Sequence, residues 1–162
     1  MNMKENNSKR NLGYLNSKST ALFLCDIQER FEKSIELFDM VVSNAKRVVQ
    51  ASNLMNIPIV ATEQYPKVRY ITFTKTRIFH QGKLSNTFPF QGLGQTVLAL
   101  RMYLKSDPIS KTQFSMVTDE VKKWLNHNDH IDTIVLCGIE THVCVQGTAI
   151  DLLDLGYNVN QL

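Results

Sequence analysis

Three residues of this 162-residue chain have side chains suited to bond-breaking chemistry and sit at comparable places in the sequence. Asp26 closes an apolar run, Lys111 closes a second, and Cys144 follows a third by a few residues. A cysteine at the start of a helix is drawn toward the thiolate by the positive end of the helix dipole and by unpaired N–H groups. An ammonium such as Lys111 beside it lowers its pKa further. Asp26 can then accept the thiol proton as general base and return it to a leaving group. Backbone N–H groups around Glu140–Cys144 offer an oxyanion site, worth ~3 kcal/mol per donor in well-studied enzymes.

Such a trio works only if the fold brings together residues far apart in sequence. Thr20–Ile27 (TALFLCDI), Ile57–Thr62 (IPIVAT), a short stretch near Asp107–Thr112, and Thr133–Ile139 (TIVLCGI) read as buried strands. Pro58 falls at the start of the second, where a missing donor is tolerated. Between them, Val41–Asn56 has the 3.6-residue apolar period of a helix. Thr118–Asn128 reads as another helix, with Thr118 or Asp119 as cap, and Val143–Leu155 as the last, closed by Gly156. Strands apolar on both faces and separated by helices predict an α/β fold: a Rossmann-like, doubly wound parallel sheet with helices on both faces. Ligands in such folds bind beyond the C-terminal strand ends, which is where Asp26, Lys111 and Cys144 fall.

Composition narrows the function. The apolar content of 43% supports a core, and no run approaches the ~18–20 apolar residues of a membrane span. Three cysteines without metal-ligand spacing favour free thiols in a reducing compartment. The net charge of +3 is localised: 68–91 holds Arg69, Lys75, Arg77 and Lys83 with no acid, and residues 1–18 add further cations. What remains is mildly acidic, which argues against nucleic acid as a partner. Residues 1–18 read as a disordered basic tail, and 19–162 as the domain.

The phrases LFLCDIQERF, IPIVATEQYPK, GLGQTV, KTQFSM and VLCGIETHVCVQGTAIDLLDLGYNV resemble the isochorismatase-like superfamily, above all the eukaryotic isochorismatase domain-containing proteins. The resemblance covers Ser19–Lys67 and Gly92–Val159. It implies that Asp26, Lys111 and Cys144 form the reaction centre. It also implies that Gly138-Ile139-Glu140-Thr141 is a turn with a cis peptide between Ile139 and Glu140. Such a bond costs ~3 kcal/mol and is kept only to aim backbone donors at a substrate. The oxyanion site then comprises Ile139, Glu140 and Cys144. Members with the cysteine use it for acyl chemistry, so the resemblance implies hydrolysis of a small amide or ester. Zinc-dependent members carry an Asp and two His after the second strand. Here Glu63-Gln64-Tyr65 stands there, so no metal and no other cofactor is expected. The resemblance further implies a homo-oligomer for the complete domain, and a cytoplasmic location is expected, with mitochondrion and peroxisome open.

Other residues carry less specific signals. Gln28, Phe31, Tyr65, Thr141 and His142 are candidates for the substrate pocket. Gln28 reads equally well as an orienting partner of Asp26 or as a buried structural amide. His142 is two residues from Cys144 and so does not face it on a helix. His127 and His130 read as surface. Cys25 and Cys137 lie inside strands and read as small core residues.

The chain departs from the family pattern twice. Residues 68–91 interrupt TEQYPK and GLGQTV. Lys67-Val68-Arg69 can be encoded AAG-GTA-AGA and Phe88–Gln91 TTT-CCA-TTT-CAG, which resemble a splice donor and acceptor. The segment's 24 residues keep frame, and it is read as a translated intron, with a lineage-specific insertion as the alternative. The second departure follows Gly156-Tyr157-Asn158-Val159, where family members continue. The domain is therefore expected to be C-terminally truncated, with the fourth strand as an unprotected edge. The competing functional reading is a non-catalytic isoform or an interaction domain.

Overall fold

The computed structural model describes residues 15–65 and 92–162. The segment 68–91 and nearly all of the basic tail lie outside the described residues. Five strands, β1 (Thr20–Cys25), β2 (Ile59–Gln64), β3 (Ile109–Lys111), β4 (Thr133–Gly138) and β5 (Asn158–Gln161), form one parallel sheet in the order β3-β2-β1-β4-β5. Among the described residues four α-helices accompany it: α1 (Phe38–Leu54), α2 (Leu98–Arg101), α3 (Asp119–His127) and α4 (Gln146–Asp154). The Rossmann-like α/β architecture expected from the strand pattern is what the chain adopts.

All six residues of β1 are buried, as a central strand covered on both faces requires. Alternation sends Ala21, Phe23 and Cys25 to one face, where Val121 and Leu125 of α3 and Leu152 of α4 cover them. Leu22 and Leu24 point the other way, against Phe38, Ala45 and Val49 of α1. β4 divides likewise, Ile134 and Leu136 to the first face and Val135 and Cys137 to the second. Thr118 caps α3 by accepting the Val121 N–H at 3.3 Å, and Gly156 takes a φ of +88° beyond α4.

Several elements differ from expectation. β5 pairs with β4 over Thr133–Leu136, so the edge of the described sheet is β5 and not β4. Its polar sequence, Asn158-Val159-Asn160-Gln161, lacks the apolar run by which the other strands announce themselves. A 3-10 turn at Glu29–Lys33 and the short α2 carry too few residues for a periodic signal. α1 begins at Phe38, after Leu37 turns the chain with a φ of 57°.

The chain order of the strands reverses between β1 and β4, so the helices that follow these neighbouring strands lie on opposite faces of the sheet. Asp26 follows β1 and Cys144 follows β4. Cys25 is the register partner of Gly138, and the contact there is unusually close. A β-carbon on Gly138 would stand 2.4 Å from the Cys25 carbonyl oxygen and 2.5 Å from the Cys25 Cβ. Neither atom can retreat without moving a central strand. Gly138→Ala is therefore expected to lower the urea unfolding free energy by about 1–3 kcal/mol or more. Gly147→Ala in α4, whose added methyl meets nothing within 4 Å, should be neutral or stabilising by up to ~1 kcal/mol.

Candidate active site

Asp26 leaves β1 with a φ of 51°, a left-handed conformation that few non-glycine residues adopt. The bend turns its carboxylate across the strand ends. One oxygen, Oδ1, accepts the Thr62 hydroxyl at 2.9 Å, and the other, Oδ2, lies 2.6 Å from the Lys111 ammonium. This ion pair is closed to solvent, its side chains being 0% and 2% exposed. Burial of two charges costs several kcal/mol per ion unless further hydrogen bonds compensate. They do so here. Lys111 Nζ also donates to Gln64 Oε1 at 2.6 Å and to the carbonyls of Phe114 and Gln113 at 2.7 and 3.1 Å.

The same ammonium stands 3.9 Å from Cys144 Sγ. Asp26, Lys111 and Cys144, 118 positions apart at the extremes, thus share one cluster. Cys144 is only 3% exposed. A hydrogen bond from the Cys25 thiol and the charge of Lys111 pull its pKa below the ordinary thiol value, against burial and the negative charge of Asp26. Cys25 takes the opposite course, its pKa pushed well above the ordinary value by that same hydrogen bond, by burial and by Asp26. Its Sγ lies 3.5 Å from Asp26 Oδ2 as well as against the Cys144 sulfur. Cys137 faces the opposite core, where burial alone pushes its pKa up to about 12.

Cys144 is carried by a π-helical turn, Thr141–Val145, that precedes α4, so it lies within a widened turn rather than opening a regular helix. Such turns recur at functional sites. Thr148 fixes it from below. Its hydroxyl donates to the Cys144 carbonyl at 2.6 Å and accepts the Met116 N–H at 2.9 Å, joining α4 to the loop beyond Lys111.

No cis peptide occurs among the described residues, contrary to the expectation for Ile139–Glu140. The chain reverses instead through Glu140, with a φ of 59°. The Ile139 N–H donates to the Cys25 carbonyl at 3.2 Å and is not free to hold an oxyanion. Val143 and Val145 both donate to the Glu140 carbonyl, at 3.0 and 3.5 Å.

The candidate pocket residues divide. Gln28 is fully buried and acts as a clamp. Its amide accepts the Gln64 N–H at 2.8 Å and donates to the carbonyls of Gln64 and Gly94 at 3.0 and 2.7 Å. It holds the strand that bears Gln64, and none of these three bonds goes to Asp26. Phe31 belongs to the α1 side of the core. Tyr65, Thr141 and His142 are exposed. Thr62, Gln64 and Thr148 were not singled out from sequence. Thr62 and Gln64 could have been, as polar residues two apart on one face of an otherwise buried strand. A groove of about 360 Å³ runs past Lys111, Thr112, Gln113 and Asp119 but reaches neither Asp26 nor Cys144. Among the described residues no group of His, Cys, Asp and Glu side chains could hold a metal ion.

A family model described as the Isochorismatase domain matches residues 20–160. The chain belongs to the isochorismatase family. It is 40% identical over 156 residues to isochorismatase domain-containing protein 2 of Xenopus laevis, covering 94% of this chain and 62% of that one. The Danio rerio protein of the same name is 39% identical, over 92% of this chain and 63% of the other. A solved structure described as the MAR1 ribonuclease of Caenorhabditis elegans superposes with a TM-score of 0.71 at 34% identity, over 91% of this chain and 64% of that one. The chain thus spans somewhat under two thirds of the length of these relatives.

The three thiols should differ sharply in alkylation. With iodoacetamide, Cys144 should label first, its rate rising with pH and levelling off below ~8.5, the ordinary thiol pKa. Cys25 and Cys137 should remain unlabelled until the chain unfolds, as peptide mass spectrometry over a pH series can show.

Proposed function

We propose that this centre is that of a cysteine hydrolase acting on a small amide or ester. The observation that carries the reading is the shared contact of one thiol, one ammonium and one carboxylate in a solvent-excluded cluster. Cys144 Sγ and Asp26 Oδ2 both adjoin the Lys111 ammonium, at 3.9 and 2.6 Å, which supports a short path for the thiol proton. In the first half-reaction the Cys144 thiolate adds to the substrate carbonyl carbon while Asp26 keeps the thiol proton. Lys111 balances the single negative charge that passes from the carboxylate to the thiolate, and the Glu140 and Cys144 amides would hold the oxyanion. Collapse breaks the carbon–nitrogen or carbon–oxygen bond, and Asp26 gives its proton to the departing amine or alcohol. Asp26 then takes a proton from water, which attacks the thioester and frees the acid and Cys144.

Glu63 and Gln64 occupy the positions discussed for a metal site, and both are engaged. Glu63 Oε1 accepts the Thr96 N–H at 2.7 Å, and Gln64 Oε1 holds Lys111. That supports chemistry supplied by protein groups alone. The depth of Cys144 favours a substrate of a few atoms over a nucleic-acid strand, although the nematode relative is described as a ribonuclease.

The test is turnover of a panel of small esters, primary amides and a short RNA, with mass spectrometry for acyl-Cys144. An acyl adduct on Cys144 and a loss of ~10³-fold or more in kcat/KM for Cys144→Ala are expected. Asp26→Asn should slow both half-reactions. Undiminished ester or amide turnover by Cys144→Ala, or cleavage of RNA alone, would refute the assignment.

A further inference from the structure

Cys25 has no place in the hydrolytic scheme, yet it is fully buried in the same core cluster as the nucleophile. Its sulfur lies 3.5 Å from Asp26 Oδ2, which pairs with Lys111 Nζ at 2.6 Å, and that ammonium stands 3.9 Å from Cys144 Sγ, so both thiols adjoin one ion pair. The strands fix this approach. The Cys25 backbone is pressed onto Gly138 with no room for a side chain there, and the Cys25 carbonyl takes the Ile139 N–H at 3.2 Å. The turn bearing Cys144 is thereby tied to the residue bearing the second thiol. Cys137 is excluded from this contact because its side chain enters the core on the other face of the sheet.

We propose that Cys25 is a resolving thiol for Cys144, the two forming a reversible intramolecular disulfide when a hydroperoxide oxidises the nucleophile. The inference rests on Cys144 being the reactive thiol and goes beyond hydrolysis, since it assigns this site a redox modification. In the first step the Cys144 thiolate attacks the distal peroxide oxygen. The O–O bond breaks, sulfur loses two electrons to become a sulfenic acid, and the peroxide is reduced to an alcohol or water once the released oxyanion takes up a proton. In the second step the Cys25 sulfur attacks the sulfenic sulfur. Asp26 accepts the Cys25 proton and passes it to the departing hydroxide, which leaves as water. Closure brings the two sulfurs to the ~2.05 Å disulfide length. An external dithiol supplies the two electrons and two protons that restore both thiols. Without a resolving partner a sulfenic acid proceeds to sulfinic acid, which thiols do not reverse. The disulfide would therefore silence the hydrolase under oxidation and preserve its nucleophile.

The experiment treats the whole chain with hydrogen peroxide, blocks free thiols in denaturant, and maps peptides without reduction. The expected product joins the peptides of Cys25 and Cys144, leaves Cys137 alkylated, and disappears with dithiothreitol. In Cys25→Ser, dimedone should trap a Cys144 sulfenic acid. Prolonged peroxide should leave ~10-fold or more of Cys144 unrecovered by dithiothreitol relative to wild type. Should Cys25→Ser fail to fold, the wild-type map decides alone. Cys144 sulfinic acid without the crosslink, or a crosslink through Cys137 or between chains, would overturn the resolving role while leaving Cys144 as the nucleophile. Absence of any oxidation or alkylation at Cys144 would instead overturn the reading of the centre itself.

Discussion

The contact between Asp26 and Lys111 sets the terms for everything around it. An ammonium and a carboxylate 2.6 Å apart, both closed to water, survive only where every remaining donor and lone pair is engaged. Removing either partner from such a pair typically costs 3–5 kcal/mol, because the other charge is left uncompensated. The surrounding polar groups answer this requirement. Thr62 holds one carboxylate oxygen, Gln64 and two loop carbonyls hold the ammonium, and Gln28 holds Gln64. The Cys144 sulfur completes this environment, and its lowered pKa follows from the hydrogen bond of Cys25 together with the charge of Lys111. Catalytic potential and structural necessity therefore meet in the same atoms.

The sheet makes that convergence possible. Parallel strands end on one rim, and β1, β2, β3 and β4 deliver Asp26, Thr62 and Gln64, Lys111, and Cys144 to it. Two local distortions refine the delivery. Asp26 and Glu140 take left-handed conformations that re-aim the chain just beyond β1 and β4. Such conformations cost of order 1–3 kcal/mol and persist where the surroundings over-determine them. The two cores on either side of β1 supply that constraint, with Phe23 packed edge-on against Trp124 at 6.2 Å on the α3 side.

Much of this was legible in the residue order. Long apolar runs marked β1, β2 and β4, because strands covered on both faces need no polar alternation. Their ends marked Asp26 and Lys111, and the following turn marked Cys144. What escaped notice did so for physical reasons. β5 is polar and half-exposed at the edge, so its composition resembles a loop. Cys25 reads as core by its place in a strand, and only its contact with Asp26 Oδ2 at 3.5 Å sets its sulfur beside the ion pair that Cys144 also adjoins. The π-helical turn holds Cys144 ahead of α4, a local feature that periodicity does not register. Glu140 reverses the chain by its own backbone angles, where the family pattern implied a cis peptide. Gln28 left two readings open, and three hydrogen bonds now show a clamp.

The central claim is that Lys111 shares an electrostatic unit with Cys144 that helps to hold its thiol pKa down. The pH dependence of Cys144 alkylation in Lys111→Met, measured beside the wild type and with folding verified by circular dichroism, tests it most directly. Removing the cation should raise the apparent thiol pKa and slow labelling at neutral pH, because Asp26 and burial then act on the sulfur unopposed by a positive charge. An unchanged profile in a folded Lys111→Met protein would contradict the account.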